Sequence, residues 1–244
     1  MWTWFYKLGS PKWFFEMSNR WQPWVFGLAM IGLVGGSYWG LFIAPPDYYQ
    51  GDTQRIMYIH VPSAYLSMFA YLMMAIASAI GLIWRMKMAY IVSVSCAPIG
   101  AAFTLMALIT GALWGKPTWG TYWEWDGRMT SELILLFLYI GYMALHYAIE
   151  DTQKADKAAA ILAIVGVVNL PIIHFSVEWW HSLHQTASLS KLEKPSIDEA
   201  MLWPLLVMIT AFQVFFVAVL MPNIRNHILW RERDTRWVKE EVSS

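Results

Sequence analysis

Charge is scarce in this chain. Only 14% of its 244 residues are charged and 58% are hydrophobic, whereas an ordinary soluble domain is about a quarter charged. Basic and acidic side chains number 17 each. With no net charge, nothing draws the chain to nucleic acid. Cysteine is almost absent, and the one present, Cys96, sits in an apolar run. An intramolecular disulfide is therefore excluded. There is no G-x-x-x-x-G-K-[ST] run, so any ATP-driven step belongs to a partner. Strand-like alternation is missing from the apolar stretches, which favours helices over a barrel. Internal repeats and low-complexity tracts are missing too, and residues 1–244 read as one polytopic membrane domain.

Long hydrophobic runs are abundant. A spanning helix needs about 20 mostly apolar residues. Six stretches qualify: 23–44, 62–84, 91–113, 131–149, 158–177 and 201–220. Pro45-Pro46 stops the first, and Pro62 is expected in the first turn of the second. Pro98 and Pro171 fall inside spans and are expected to kink them. The first run is too long for a signal-peptide core and lacks a cleavage site, so it reads as retained. The aromatic, basic segment before it is expected to lie in the interface plane. With the N-terminus inside, the inner segments hold twelve of the Lys and Arg residues and the outer ones five. Both termini are thus expected in the cytoplasm. The predicted fold is an all-α integral membrane protein of six transmembrane helices.

That topology gathers unusual residues on the outer side. The chain has 16 tryptophans, many of them explained by the aromatic belts of a membrane protein. Trp114, Trp119, Trp123 and Trp125 crowd into "LWGKPTWGTYWEWDGRMTSEL", a loop expected over 114–130. It is too polar for a span and too aromatic for a simple connector. Asp126 follows at once and suits a helix cap. His60 stands at the outer entrance of the second helix, and His181 and His184 lie just beyond the fifth. Indoles offer flat apolar faces, two histidines on different segments offer metal ligands, and Arg55, Lys116 and Arg128 offer partners for carboxylates. A flat ring, a central metal and peripheral carboxylates together describe haem. The other histidines have blander readings. His174 lies within the fifth helix, His146 lies toward the inner side and His227 in the basic tail. A zinc site at "EWWHSLHQ" lacks a supported third ligand.

The run "WGKPTWGTYWEWDGRMTSEL" closely resembles the tryptophan-rich "WWD" motif of the haem-handling membrane proteins. With "RIMYIHVPSAYLS" and "NLPIIHFSVEWWHSLHQTAS", and with its length and six spans, the chain resembles the haem exporter protein C (CcmC) branch of bacterial cytochrome c maturation. The resemblance implies non-covalent, transient binding of haem b at the periplasmic face of the inner membrane. It implies His60 and His184 as axial ligands, and haem contacts from Trp114, Trp119, Trp123, Trp125 and Asp126. Arg128, with Arg55 or Lys116, is expected to neutralise the propionates. Implied partners are the membrane-anchored haem chaperone (CcmE), an ATP-binding cassette pair (CcmA and CcmB) and a small single-span subunit (CcmD). Glu124 and Met129 depart from the motif, which leads one to expect an apolar residue and a leucine. No enzyme activity is expected of this chain. Two rival readings are a bis-histidine electron-transfer subunit of a respiratory complex and a transporter subunit for another substrate. Ionisable residues are read as sparse in the spans apart from His174.

Overall fold

Ser10 opens the helix of the first apolar run. Its hydroxyl accepts the Trp13 N–H at 3.4 Å, and Pro11 takes the first helical position, where its missing N–H costs little. In the computed structural model, which describes residues 7, 9–180, 182–184 and 197–243, helix α1 then runs Pro11–Tyr38. It ends in a widened turn, Trp39–Ile43, where the Ala44 N–H reaches the Trp39 carbonyl at 2.9 Å. Pro45 forces Ala44 into extended backbone, ψ 138°, and so ends the helix. Residues 11–21 are thus the first turns of a continuous span. The rest of the segment expected in the interface plane, residues 1–6 and 8, lies outside the described residues.

A tight turn, Asp52–Ile56, leads directly into α2, Met57–Trp84. Helix α3 is Lys87–Trp119 and α4 is Gly127–Ala148. The fifth span is two helices, α5 (Thr152–Gly166) and α6 (Asn169–Trp179). Helix α7 is Glu199–Arg231 and the short α8 is Arg236–Ser243. Aspartates cap three of these helices. Asp126 accepts from Met129 N–H, Asp151 from Gln153 and Lys154, and Asp198 from Ala200.

Among the described residues six helical segments, the fifth of them α5 and α6 together, are long and apolar enough to cross a membrane, and the chain is an all-α membrane protein. The helix ends differ from the hydropathy reading. Helix α3 extends six residues past 113, so Trp114 and Trp119 lie on its last turns and only 120–126 is loop. Helix α7 continues to Arg231, so His227 is helical. Pro62 sits in the body of α2, which begins earlier, at Met57. The reason is length: 33 residues rise about 50 Å, against a hydrocarbon core of about 30 Å. Hydropathy marks where lipid stops, and hydrogen bonding marks where the helix stops. The fifth span breaks at Val167–Val168. Pro171 has no N–H for the Val167 carbonyl, which takes the Leu170 N–H at 3.0 Å in a tightened turn.

Helix α2 lies at the centre, against α3, α5 and α7; α1 packs on α7, and α4 on α3, α5 and α6. Polar contacts tie the apolar helices together. Tyr139 on α4 donates to the Ser67 carbonyl on α2 at 2.8 Å. Ser93 on α3 bonds Ser78 at 2.7 Å and Tyr142 at 2.8 Å. At the end holding Trp84, Lys87 and Ala148, the Arg231 fork grips both oxygens of Asp156. Both side chains are buried, and His146 lies 3.7 Å from the same carboxylate. Replacing Arg231 with leucine leaves Asp156 nearly alone. We expect a stability loss of about 3–5 kcal/mol, read as a lowered thermal midpoint of the solubilised protein. The Arg231→Leu/Asp156→Leu double variant should recover most of it. A single variant as stable as the parent would contradict this account.

Candidate functional site

The opposite end of the bundle brings His60 and His184 to one recess. His60 projects from the first turn of α2. Its Nδ1 lies 3.1 Å from the Ala107 carbonyl and 3.0 Å from the Thr110 hydroxyl, both on α3. A carbonyl only accepts, so Nδ1 carries the proton and Nε2 is left bare. Gly111 makes room for the ring, since a Cβ there would lie 3.1 Å from His60 Cε1. Trp114 sets its indole edge-on to the His60 ring, centroids 5.7 Å apart. That indole is held in turn, its N–H donating to Gln50 at 2.7 Å. Gln50 belongs to a turn closed by Asp47, whose carboxylate accepts the Tyr49 and Gln50 N–H groups at 2.8 Å.

His184 is held differently, by side chains alone. Its Nδ1 lies 3.2 Å from Asp126 Oδ2, and a carboxylate only accepts, so here too Nε2 is the free nitrogen. The Ser182 hydroxyl donates to the same oxygen at 2.5 Å and accepts the His184 N–H at 3.1 Å. Trp119 packs on the ring at 4.7 Å. Asp126 therefore has two faces. Oδ1 caps α4 through Met129, and Oδ2 orients His184. Burial pushes its carboxyl pKa up, but the donors on His184, Ser182 and Met129 outweigh this and hold it at about 2. It stays ionised throughout the physiological range. A carboxylate behind an imidazole fixes the tautomer and the direction of the free nitrogen.

The recess between the histidines has apolar walls that include Met68, Leu108 and Ile173. Arg128 and Glu132, one turn apart on α4, supply its other polar groups. Among the described residues, no carboxylate lies within ion-pair distance of the Arg128 guanidinium. No group of three metal-binding side chains converges among the described residues, so the donor set is two imidazoles facing one space.

Other expected contacts lie elsewhere. The Arg55 guanidinium donates to the Gly40 and Leu41 carbonyls at 3.1 and 2.8 Å and pairs with Asp52 at 2.9 Å. It closes the end of α1 and does not line the recess. Lys116 donates to the Gly120 carbonyl at 3.0 Å and covers the Tyr122 ring at 5.3 Å, which pins the loop. Gly120, φ 83°, turns the chain out of α3. None of the four tryptophans lines the recess itself. Trp123 and Trp125 pack edge to face at 5.3 Å, and Trp125 is 74% exposed. The Trp123 indole N–H is buried with no acceptor among the described residues. Glu124 points outward and Met129 is buried. His174 is exposed on α6, against Phe175. His146 and His227 stand at the far end. His181 lies outside the described residues.

Comparison with known proteins shows what this arrangement belongs to. Residues 4–239 match the family model described as Heme exporter protein C. The chain belongs to the heme exporter protein C family. Relatives of that name agree along nearly their whole length. The protein of Haemophilus influenzae is 47% identical over 239 residues, 98% of this chain and 97% of that one. The protein of Escherichia coli K12 is 47% identical over 242 residues, 99% and 98%. That of Bradyrhizobium diazoefficiens is 50% identical over 224 residues, 92% and 85%.

Several residues that build the site in this member of the heme exporter protein C family escaped the sequence reading. Glu132 is one. It sits in the fourth span, where ionisable residues were expected to be sparse, yet it is buried in the recess wall. The acid in "TSELILLF" was the available signal, because an ionisable residue inside a span is a functional candidate by default. Thr110, Gly111, Gln50 and Ser182 had no comparable signal. Each matters through a partner far away in sequence.

Proposed function

We propose that this chain is a haem-handling subunit for c-type cytochrome biogenesis. In this reading it takes haem at the periplasmic face of the bacterial inner membrane and presents it to the haem chaperone CcmE. Two imidazoles with bare Nε2 atoms beside one recess are the observation that carries the reading. Haem is the cargo, and its iron supplies the two axial positions that His60 and His184 fill. Arg128, at the recess wall with no ion-pair partner among the described residues, meets a propionate. Trp114 and Trp119 hold the two histidines in place rather than stacking on the macrocycle. Trp125 and its neighbours form the exposed rim. The chain itself carries no catalysis. ATP hydrolysis belongs to CcmA and CcmB, with CcmD completing the assembly.

The two ligands differ in how firmly they are held. His60 is on a helix and bonded to the backbone of α3. His184 is on a non-helical stretch and bonded only to side chains. His184 is therefore the ligand that lets go when haem leaves, since moving it disturbs no helix.

An absorption scan of the purified protein supplied with haem tests the reading. A six-coordinate bis-imidazole spectrum is expected. Absence of any haem signal would leave a transporter subunit for another substrate as the better account. Rapid reduction by a quinol would favour the electron-transfer rival. Gly111→Ala offers a finer check. Its methyl group would press on His60 Cε1, so we expect an altered ligand-field spectrum with normal membrane insertion. A spectrum identical to the parent's would mean that Gly111 does not set the ring.

A further inference from the structure

Glu132 has no part in the account above, yet it is 8% exposed and lines the same recess. It is set apart from the iron ligands by depth. Ser67, which donates to Glu132 Oε1 at 2.8 Å, lies about two helical turns along α2 from His60. A buried carboxylate needs a cation or hydrogen-bond donors. Glu132 has one donor, the Ser67 hydroxyl, and a cation beyond ion-pair distance, Arg128, one turn above it on the same face of α4. The Ser67 hydroxyl is shared, since it also lies 2.8 Å from the Ala64 carbonyl.

The charged and titratable groups around Glu132 are few. Helix α2 contributes His60, and Tyr71 packed edge-on to Tyr139; the segment after α6 contributes His184; Asp126, in the loop before α4, acts on Arg128. On α4 itself are Arg128 and Tyr139, whose hydroxyl is already given to the Ser67 carbonyl. Helix α3 brings Cys96, buried beside Tyr139. Asp126 is committed to Ser182, His184 and Met129. Among the described residues, Arg128 is therefore the guanidinium or ammonium that Glu132 and any incoming carboxylate share in the recess.

We propose that Glu132, which shares the recess with Arg128 without touching it, stays charged only while that guanidinium is free, and that a cargo carboxylate pairing with Arg128 leaves Glu132 to take up a proton from solvent as the cargo binds. Two carboxylates cannot both stay charged around one guanidinium in a closed apolar space. The bound propionate keeps Arg128. Glu132 becomes a neutral acid on the Ser67 hydroxyl, with the added proton on a carboxyl oxygen. Release reverses the exchange, so acidification favours loading and loss of that proton favours unloading. This rests on the haem reading proposed above.

Proton uptake tests it directly. Ferric haem is added to the full-length protein in weakly buffered detergent solution with a pH-indicator dye, and bound haem is followed by its absorption. Ferric haem also sheds iron-bound hydroxide when two imidazoles take the iron, and that takes up a proton whatever Glu132 does, so the dimethyl ester, which has no free carboxylate, sets the baseline. Haem is expected to take up as much as about one proton more than the ester. Glu132→Gln should bind haem with only the ester's uptake. The proposal is overturned if haem and its dimethyl ester take up the same amount. Equal uptake by a folded Glu132→Gln variant overturns it as well. The ester comparison needs no variant, so the proposal stays testable if Glu132→Gln fails to fold. If no bis-imidazole spectrum forms at all, the haem reading fails first and takes this proposal with it.

Discussion

Replacing His184 with alanine should turn a six-coordinate haem spectrum into a five-coordinate one and cut haem retention by at least about tenfold. The scale follows from disturbed ligand sets, where losing even an outer partner of a ligand costs about 10–100-fold in affinity. His60→Ala should have the same spectral effect. The two variants should part on rescue. His184 stands on a segment held by side chains, so free imidazole has room to enter where its ring was removed. His60 is enclosed by Ala107, Thr110, Gly111 and Trp114, so rescue there should be weaker. Absorption spectra with and without added imidazole make the comparison. Unchanged spectra in both alanine variants would end the axial assignment.

The second large effect is expected from Asp126, and here the choice of replacement separates two roles. Asparagine is as good a helix cap as aspartate, so Asp126→Asn should keep α4 and leave the thermal midpoint almost unchanged. Its amide has only one oxygen. If that oxygen caps Met129, the NH2 group faces His184 Nδ1–H and Ser182, and donors meet donors. Haem retention should then fall by about 10–100-fold. Asp126→Ala should show that loss and a further destabilisation of about 0.5–2 kcal/mol from the missing cap. Equal losses of stability in both variants, with no separate loss of haem, would reduce Asp126 to a cap. The pH dependence follows from the depressed carboxyl. Whatever the charged form contributes is complete above about pH 3.8 and is lost as pH falls through about 2. Any loss of haem between pH 5 and 7 must therefore come from other groups.

These two expectations also show where sequence reasoning reached and where it stopped. The cap was legible because Asp126 stands just before an apolar run, a local signal. Its second oxygen was not, because Ser182 and His184 lie 56 and 58 residues away. Arg55, Lys116 and Arg128 were indistinguishable as sequence, being three cations near one boundary. Folding separates them. Carbonyls at the end of α1 claim Arg55, the loop carbonyl claims Lys116, and Arg128 is left facing the recess. The tryptophans were legible as a cluster but not as individuals, since which indole reaches a histidine depends on how far α3 continues as helix.

The sequence by itself determined an all-α membrane protein with six apolar helices, because hydrophobic length and the absence of strand alternation are properties of the chain alone. It also set apart His60, His184 and the tryptophan-rich segment through rare residue types in unusual density. Only the tertiary structure decided which nitrogen of each histidine is free, which cation is unpaired and that Glu132 shares their recess. Those properties depend on hydrogen-bond partners brought together by packing α2, α3, α4 and the 182–184 segment, and no local pattern encodes a partner fifty residues away.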